Sequence, residues 1–260
     1  MNLVFLGSGN TATVLAKRMY AKGHAVLQVW SRNKSNAQAL AKEVNAEAIE
    51  SVDQVNPAAD ICIIAVTDDA VIQLAKQLKP GNKLVVHTAG AVNLDVLKNA
   101  STNYGVFYPL QSLRKETEPV TDIPFLIDGS SEEVKVLLTD FAKSISGIVS
   151  LANDEQRLQL HLSAVVVNNF TNHLYTLAED YCKHHALNFQ LLLPLIQETA
   201  MRLGSASASS LQTGPAKRMD VQTIQKHLQL LNGDAELQQL YQIFTDSITT
   251  YYKNKELRNS

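Results

Sequence analysis

The sequence predicts an α/β fold over residues 1–152, with a doubly wound and mostly parallel sheet, followed by an all-α domain over residues 153–260. In the first part, short runs rich in Val, Ile and Leu alternate with amphipathic helical patterns, which is typical of parallel βαβ units. The runs are continuously apolar, as expected for strands that helices cover on both faces. After residue 153 the strand pattern stops and only helical periodicity remains.

The predicted elements follow from these patterns in chain order. Strands are predicted at residues 3–6, 25–30, 60–66, 83–87, 105–108, 124–127 and 147–150. Helices are predicted between most of them, at residues 12–21, 36–44, 70–78 and 132–145. Residues 154–185 contain neither Pro nor Gly and have apolar residues at helical spacing, which predicts one long helix. Further helices are predicted at residues 190–203, 221–231 and 235–252.

Composition excludes several classes of protein. The formal charge of −2 at pH 7 gives no broad basic field, so neither nucleic acid nor a membrane surface is an expected partner. The two cysteines, Cys62 and Cys182, form no CxxC motif, which favours free thiols in a reducing compartment. The chain has no signal-peptide pattern and no apolar run near the ~20 residues of a membrane span, so a cytoplasmic protein is expected. No metal site is expected, because His184 and His185 lack suitably spaced partners.

A glycine-rich loop follows the first strand and opens the first helix. It reads Gly7-Ser8-Gly9-Asn10-Thr11-Ala12. In a G-x-G-x-x-A loop the first Gly permits the tight turn, the second lets the backbone approach a pyrophosphate, and the Ala allows close helix packing. The free N–H groups of the helix then face the phosphates. We therefore predict a Rossmann-type dinucleotide site; the alternative is a glycine turn without a dinucleotide.

The end of the second strand indicates which dinucleotide is bound. It reads Val29-Trp30-Ser31-Arg32-Asn33-Lys34, without the acidic residue that would bind a ribose 2′-hydroxyl. Ser31 can donate a hydrogen bond to a 2′-phosphate, and Arg32 can add charge and stack on the adenine. The alternative is a solvated loop. The pattern favours NADP over NAD as the cofactor.

Two further turns are expected near the cofactor, because ligands of open parallel sheets lie beyond the carboxyl ends of the strands. The first turn is Val66-Thr67-Asp68-Asp69 and the second is His87-Thr88-Ala89-Gly90. We predict that Val66, Thr67, Asp68, His87, Thr88 and Ala89 contact the cofactor. His87 has two interpretations: a proton-transfer group, or a structural imidazole bonded to backbone.

Two polar segments are candidates for the substrate site. After the strand at residues 105–108 comes Tyr108-Pro109-Leu110-Gln111-Ser112, which either faces a substrate or simply ends the strand. On the predicted long helix, His161, Asn168 and Asn172 fall within roughly 20° of one another, with Asn169 beside them. A polar stripe on an apolar helix indicates either a substrate cleft or hydrogen bonds between helices.

These motifs together carry a family resemblance over nearly the whole chain. The set is Gly7-Ser8-Gly9-Asn10-Thr11-Ala12, His87-Thr88-Ala89-Gly90, Tyr108-Pro109-Leu110-Gln111-Ser112, the helix with His161 and Asn169, and Thr213-Gly214-Pro215-Ala216-Lys217-Arg218-Met219-Asp220. It resembles a bacterial family classed as NADP oxidoreductases, with a Rossmann domain and a helical domain of unknown function. The N-terminal half is also similar to pyrroline-5-carboxylate reductase and the deazaflavin-dependent NADP oxidoreductases. More distantly, the layout resembles the 6-phosphogluconate and β-hydroxyacid dehydrogenases, whose helical domains pair into dimers.

The sequence departs from these relatives at two positions. The β-hydroxyacid dehydrogenases have a lysine with K-x-x-N-N spacing, and counting back from Asn168-Asn169 places Val165 at that position. Tyr108 stands where the resembled family often has His before Pro. A tyrosine can still donate a hydrogen bond, although its reference pKa near 10 makes it a poor base at neutral pH.

The resemblance implies an NADPH-dependent oxidoreductase that acts on a small carbonyl or imine in an interdomain cleft. Within that cleft we predict His161 as proton donor or substrate ligand and Asn169 as the group that orients the reacting atoms. Tyr108, Gln111 and Ser112 are the expected substrate contacts, and Arg218 would clamp a carboxylate or phosphate or else pair with Asp220. A homodimer through the helical domain is expected. The alternatives are a non-catalytic NADP-binding sensor and an imine reductase like pyrroline-5-carboxylate reductase.

Overall fold

A single mixed sheet organises the first part of the computed structural model, which describes residues 1–79, 81–117 and 121–259. Within these residues the sheet has eight strands in the order β3-β2-β1-β4-β5-β6-β7-β8. The strands are β1 Asn2–Leu6, β2 Ala25–Trp30, β3 Glu47–Ile49, β4 Ile61–Ile64, β5 Leu84–His87, β6 Tyr104–Pro109, β7 Phe125–Gly129 and β8 Val149–Leu151. This architecture confirms the predicted α/β class with a Rossmann-like strand order.

All neighbouring strands are parallel except β6 and β7, which pair antiparallel. A parallel neighbour needs a crossover connection, usually a helix. No helix is assigned between β6 and β7 in the described residues, so the chain reverses direction there. β3 was not predicted, because its three residues contain one acidic residue and no continuous apolar run.

Helices cover both faces of the sheet and bury two separate cores. The helices of this part are α1 Asn10–Ala21, α2 Lys34–Glu43, α3 Asp68–Gln77 and α4 Glu132–Lys143. Side chains of β1 alternate between the faces: Leu3 and Phe5 belong to one buried cluster, Val4 and Leu6 to the other. This period of two, with both faces buried, explains why the strands read as continuous apolar runs.

The predicted long helix is not a continuous α-helix. Residues 154–184 are helical, but α5 Asp154–Ala164 is followed by a π-helical turn, Val165–Phe170, before α6 Thr171–His184. Three consecutive valines begin this turn, and β-branched side chains lose rotamer freedom in an α-helix. The prediction of uninterrupted α-helix is therefore wrong at residues 165–170.

The chain forms two compact units, residues 1–170 and the residues from Thr171 onward. The predicted boundary at residue 152 falls just after β8, whereas α5 and the π turn belong to the same compact unit as the sheet. The second unit contains α6, α7 Leu193–Arg202, α8 Ala208–Leu211, α9 Val221–Leu230 and α10 Ala235–Asn259. Within it, Tyr241 bonds His227 at 2.8 Å and Asp220 caps α9.

Two expectations from composition can be compared with the structure. Cys62 and Cys182 are both buried, free thiols, and burial raises the pKa of Cys62 to about 11. In the described part of the chain, no helix combines the length and the apolar character needed to cross a bilayer.

Candidate active site

The first glycine of the loop is required by the fold. The backbone of Gly7 has φ = +138°, which side-chain-bearing residues rarely adopt. A Cβ at this position would lie 2.1 Å from the carbonyl oxygen of Ala65 at the end of β4. The Gly7 N–H also donates to the carbonyl of Trp30 at 2.8 Å. Gly7, which follows β1, is therefore in contact with the ends of β2 and β4, the two strands that flank β1.

The second glycine leaves space at the start of α1. Gly9 is the N-cap of α1, has an ordinary φ of −77°, and no side chain caps the helix. A Cβ on Gly9 would have no heavy atom within 4 Å. Ala12, which packs the helix on the sheet, is fully buried. Uncapped N–H groups beneath an open backbone surface fit a pyrophosphate, so the loop fits the predicted dinucleotide.

A cleft of about 1080 Å³ opens beside this loop. The predicted cofactor residues that line it are Gly7, Ser8, Gly9, Asn10, Thr11, Ser31, Arg32, Val66 and Thr67. Ala12 lies beneath the loop, and Asp68, His87, Thr88 and Ala89 are not among the residues that line the cleft. Lining residues that the sequence did not single out include Asn36, Gln73 and Gln77 on the flanking helices.

The hydroxyl groups of Ser8 and Ser31 tie the glycine loop to the end of β2, with an oxygen–oxygen distance of 2.8 Å. Asn33 caps α2 by accepting the N–H of Asn36 at 3.1 Å. Arg32 between them is exposed and lines the cleft. The loop after β6 reaches the same place, because the Lys115 N–H donates to the Asn10 side chain at 3.4 Å. Sequence patterns gave no indication of this last contact.

His87 is fully buried at the end of β5. Its Nδ1 accepts the N–H of Ala89 at 3.2 Å, and Thr88 bonds the carbonyl of Ile64. Burial and, second, the positive charge of Arg157 lower the pKa of His87 to about 4, although Asp154 acts in the opposite direction. The imidazole is therefore neutral at pH 7, as the structural interpretation of His87 requires. Its predicted contact with the cofactor remains a prediction.

Tyr108 and His161, both predicted site residues, are 53 positions apart in sequence and are in contact in the structure. The Tyr108 hydroxyl lies 2.8 Å from Nδ1 of His161, and the two rings meet edge to face. Gly90 makes this contact possible: a Cβ there would lie 2.9 Å from His161 Nδ1 and 3.0 Å from Tyr108 Cζ. The glycine that ends the second predicted turn thus leaves room for the pair.

The Tyr108–His161 pair lies in a second cavity of about 480 Å³. Five predicted residues line it, namely Tyr108, Gln111, Ser112, His161 and Asn169. Leu110 and Asn168, from the two predicted polar segments, also line it, and the residues that the prediction had not placed there are Leu160, Ser163, Ala164, Val165 and Val167. Among the described residues that line this cavity, none is Asp, Glu, Lys or Arg. The π turn contributes Val165, Val167, Asn168 and Asn169, and π turns frequently occur at functional sites.

Burial controls the protonation of Tyr108. The side chain is 9% exposed. Burial raises the pKa of Tyr108 and the Asp68 carboxylate raises it further, whereas the nearby Arg157 guanidinium lowers it. The phenol is therefore protonated at neutral pH and can donate a proton. Arg157 is 1% exposed and had not been predicted, because a charged residue in the first turns of a helix is ordinarily solvated.

Both cavities belong to the same edge of the sheet. Because β1, β4, β5 and β6 are parallel neighbours, their carboxyl ends lie side by side. Gly7 follows β1, Thr67 follows β4, Gly90 follows β5, and Tyr108 is near the end of β6. Strands are spaced by about 4.8 Å, so β6 lies roughly 10 Å from β4. Arg218 belongs to the second unit, where it is exposed between α8 and α9.

The fold and the glycine loop define a Rossmann-type protein of the dinucleotide-binding class. Comparison of the sequence with protein-family models supports this class and adds a function. Residues 2–90 match the family model of coenzyme F420-dependent NADP oxidoreductases. Residues 123–248 match a domain of unknown function, DUF2520. The comparison with curated proteins finds no match.

Solved structures extend this result. A Bacteroides fragilis protein described as a "putative NADP oxidoreductase" is 40% identical, with 96% of this chain and 98% of that chain covered and a TM-score of 0.88. The chain therefore belongs to this family of two-domain NADP oxidoreductases. Two more distant structures share the fold. A reductive aminase from Aspergillus terreus, in complex with NADPH and ethyl-5-oxohexanoate, is 13% identical, with coverage of 97% and 94% and a TM-score of 0.71. An imine reductase from Myxococcus stipitatus, in complex with NADP+, is 16% identical, with coverage of 98% and 93% and a TM-score of 0.64.

Proposed function

We propose that this protein is an NADPH-dependent oxidoreductase that reduces a small carbonyl or imine compound. The observation that carries the proposal is the Tyr108–His161 pair, bonded at 2.8 Å in a 480 Å³ cavity. This cavity shares a sheet edge with a glycine loop shaped for a dinucleotide. Reduction of a C=O or C=N bond needs a hydride on carbon and a proton on the heteroatom. The cleft beside the glycine loop would hold the hydride donor, and the second cavity contains the proton donor.

The preference for NADPH over NADH is supported by the end of β2. Ser31, Arg32 and Asn33 line the cleft there, and no carboxylate follows the strand directly. A 2′-phosphate would receive hydrogen bonds and positive charge from these side chains, and an Asp or Glu would have repelled it. The Ser8–Ser31 bond holds Ser31 beside the glycine loop, where the ribose would lie.

When bound, NADPH supplies the hydride. The chain supplies the proton through the Tyr108–His161 pair. If the Tyr108 hydroxyl donates to Nδ1, the His161 proton is on Nε2; if Nδ1 carries the proton, the hydroxyl hydrogen is free. In either arrangement the pair has one proton to donate at neutral pH, because the raised pKa of Tyr108 keeps the phenol protonated. Asn169 lines the same cavity and would orient the substrate by hydrogen bonds.

The substrate class is proposed from the size and lining of the cavity. Its volume of about 480 Å³ lies in the range of small-molecule sites, and its apolar contacts come from Leu110, Leu160, Val165 and Val167. The shared fold with a reductive aminase and an imine reductase supports the imine as well as the carbonyl.

Two experiments test the proposal. The first is calorimetric titration with NADPH and NADH at one salt concentration, and the second is an NADPH oxidation screen. The screen would contain aldehydes, ketones, keto acids and cyclic imines. We expect NADPH to bind at least tenfold more tightly than NADH, and His161→Ala to abolish turnover of any active substrate while leaving NADPH affinity unchanged. Equal affinities would refute the NADP preference. Tight NADPH binding without oxidation across the panel would favour a non-catalytic NADP-binding sensor.

We also propose that two copies associate through the helical unit, in the cytoplasm. Large apolar side chains of the second unit are exposed, including Leu191, Leu195, Met201 and Leu230, each at least 64% exposed. Exposed apolar side chains on this scale indicate an interaction surface. Light scattering at micromolar concentration tests this proposal, and the mass of a single chain would contradict it.

A further inference from the structure

A buried arginine lies next to the Tyr108–His161 pair. Arg157 is 1% exposed, the largest of the fully buried side chains. Its Nη2 donates to the carbonyl of Val92 at 2.5 Å and to Asp154 at 2.6 Å. Asp154 in turn accepts the N–H of Leu94 through both carboxylate oxygens, at 2.9 and 3.2 Å. The first turn of α5 is thereby fixed to the backbone at residues 92–94.

This attachment bears directly on the pair. His161 lies four residues after Arg157 on α5, which places the two side chains on the same face of the helix. The segment held by Arg157 begins two residues after Gly90, the glycine against which His161 and Tyr108 pack. The same bonds therefore fix the start of α5 relative to the backbone at residues 92–94. They also hold the turn at Gly90, on which the pair packs.

The positive charge of Arg157 is only partly compensated. Within the described residues, its Nε and Nη1 are buried without a hydrogen-bond partner. Its counter-ion Asp154 has a side chain that is 36% exposed, so solvent weakens that ion pair. The remaining positive charge acts on the titratable groups around it.

Those groups are Tyr108 and His87. The charged or titratable groups that act on Tyr108 are Asp68 at the start of α3 and, on α5, Arg157 and its bonded partner His161. His87 remains neutral at pH 7, so it adds no second positive charge. When Tyr108 gives up a proton, the positive charge of Arg157 stabilises the phenolate that forms.

We propose that Arg157 is a positioning residue that fixes the Tyr108–His161 pair and places a buried positive charge beside it. The inference rests on the proposed function for its catalytic meaning. It goes beyond that function because it assigns a role to a side chain outside both cavities. The effect of Arg157 on the pKa of Tyr108 can be measured without cofactor or substrate.

The test is titration of tyrosine labelled with 13C at Cζ in the full-length protein, followed by NMR. The chain has 8 tyrosines, and the signal of Tyr108 is the one lost in Tyr108→Phe. Arg157→Met should raise the pKa of Tyr108 by about half a pH unit or more, because a nearby cation is lost. Arg157→Lys keeps a cation at this position and should leave the Tyr108 titration close to that of the wild type, even if thermal stability falls. An unchanged titration in Arg157→Met would overturn the proposal.

A second variant separates the charge from the structural bonds, and serves if Arg157→Met does not fold. Asp154→Asn removes the counter-ion while leaving an oxygen that can accept the Leu94 N–H. The Tyr108 pKa should then fall, since Arg157 is less neutralised. A rise in Asp154→Asn would mean that loosening of α5 dominates, and the electrostatic role would be wrong. Failure of the proposed reaction would show in the NADPH oxidation screen and not in these titrations.

Discussion

The two glycines of the dinucleotide loop should behave in opposite ways when each is replaced by alanine. Gly7→Ala places a Cβ 2.1 Å from a backbone carbonyl oxygen, at φ = +138°. Backbone strain of about 1–3 kcal/mol and overpacking of about 1–3 kcal/mol add to a loss of roughly 2–6 kcal/mol. That loss is large against a typical unfolding free energy of about 5–15 kcal/mol. We expect the melting temperature to fall by at least about 5 °C.

Gly9→Ala should leave the fold intact and weaken cofactor binding. Its φ of −77° is allowed for alanine, and its Cβ has no neighbour within 4 Å. Because Gly9 is the N-cap of α1, where alanine is less favourable than glycine, the free energy of unfolding should fall by no more than about 1 kcal/mol. The new methyl group would instead occupy the surface that the pyrophosphate approaches. We expect NADPH affinity to fall at least about tenfold, or 1.4 kcal/mol.

Two measurements on both variants check this division. Thermal unfolding is monitored by circular dichroism, and NADPH affinity is measured by calorimetric titration. Each variant is the control for the other, because the chemical change is the same single methyl group. Wild-type NADPH affinity in Gly9→Ala would refute the placement of the phosphates at this loop. Equal loss of melting temperature in the two variants would refute the assignment of Gly7 to the fold and Gly9 to the ligand.

Three further predictions concern the rest of the site. Gly90→Ala should reduce kcat by about tenfold or more, with NADPH affinity unchanged, because its Cβ would lie 2.9 Å from His161 and 3.0 Å from Tyr108; steady-state kinetics of an active substrate measure this. For His87, the folded-state pKa of about 4 lies below the ordinary 6.5, so the unfolded chain binds more protons between these values and stability declines as the pH falls from 6.5 to 4. Urea unfolding of His87→Gln should show a smaller decline over that window, and parallel curves would contradict the buried neutral imidazole. Tyr108→Phe should lower kcat more than it changes the KM for NADPH, since the hydroxyl lies in the second cavity.

Sequence patterns predicted most of the sheet because its strands are buried on both faces. Runs such as β4, Ile61–Ile64, are apolar without interruption and could be recognised by composition alone. β3 was missed because it is a short edge strand that begins with Glu47. The π turn was missed because its residues have the same apolar spacing as an α-helix, and only the three valines from Val165 hint at a weakened helix.

The site was predictable where chemistry depends on local sequence, and not where it depends on tertiary contact. The glycine loop is a local motif, so its strand, turn and helix could all be anticipated. The contact of Gly90 with His161 joins positions 71 residues apart in sequence, and no periodicity encodes it. Arg157 was missed for a related reason, because its burial depends on the backbone at residues 92–94 rather than on its own helix.

Val165 explains why the proton must come from the Tyr108–His161 pair, and not from a lysine on the helix, under the proposed function. The β-hydroxyacid dehydrogenase pattern places a lysine at this position, yet here a valine lines the cavity. Among the described residues that line this cavity, only Tyr108 and His161 can both hold and release a proton. The pair is seated by Gly90 at the end of β5 and lies near the end of β6. If position 165 is equivalent to that lysine, Val165→Lys should restore turnover to Tyr108→Phe, and no recovery would show that the position is not equivalent.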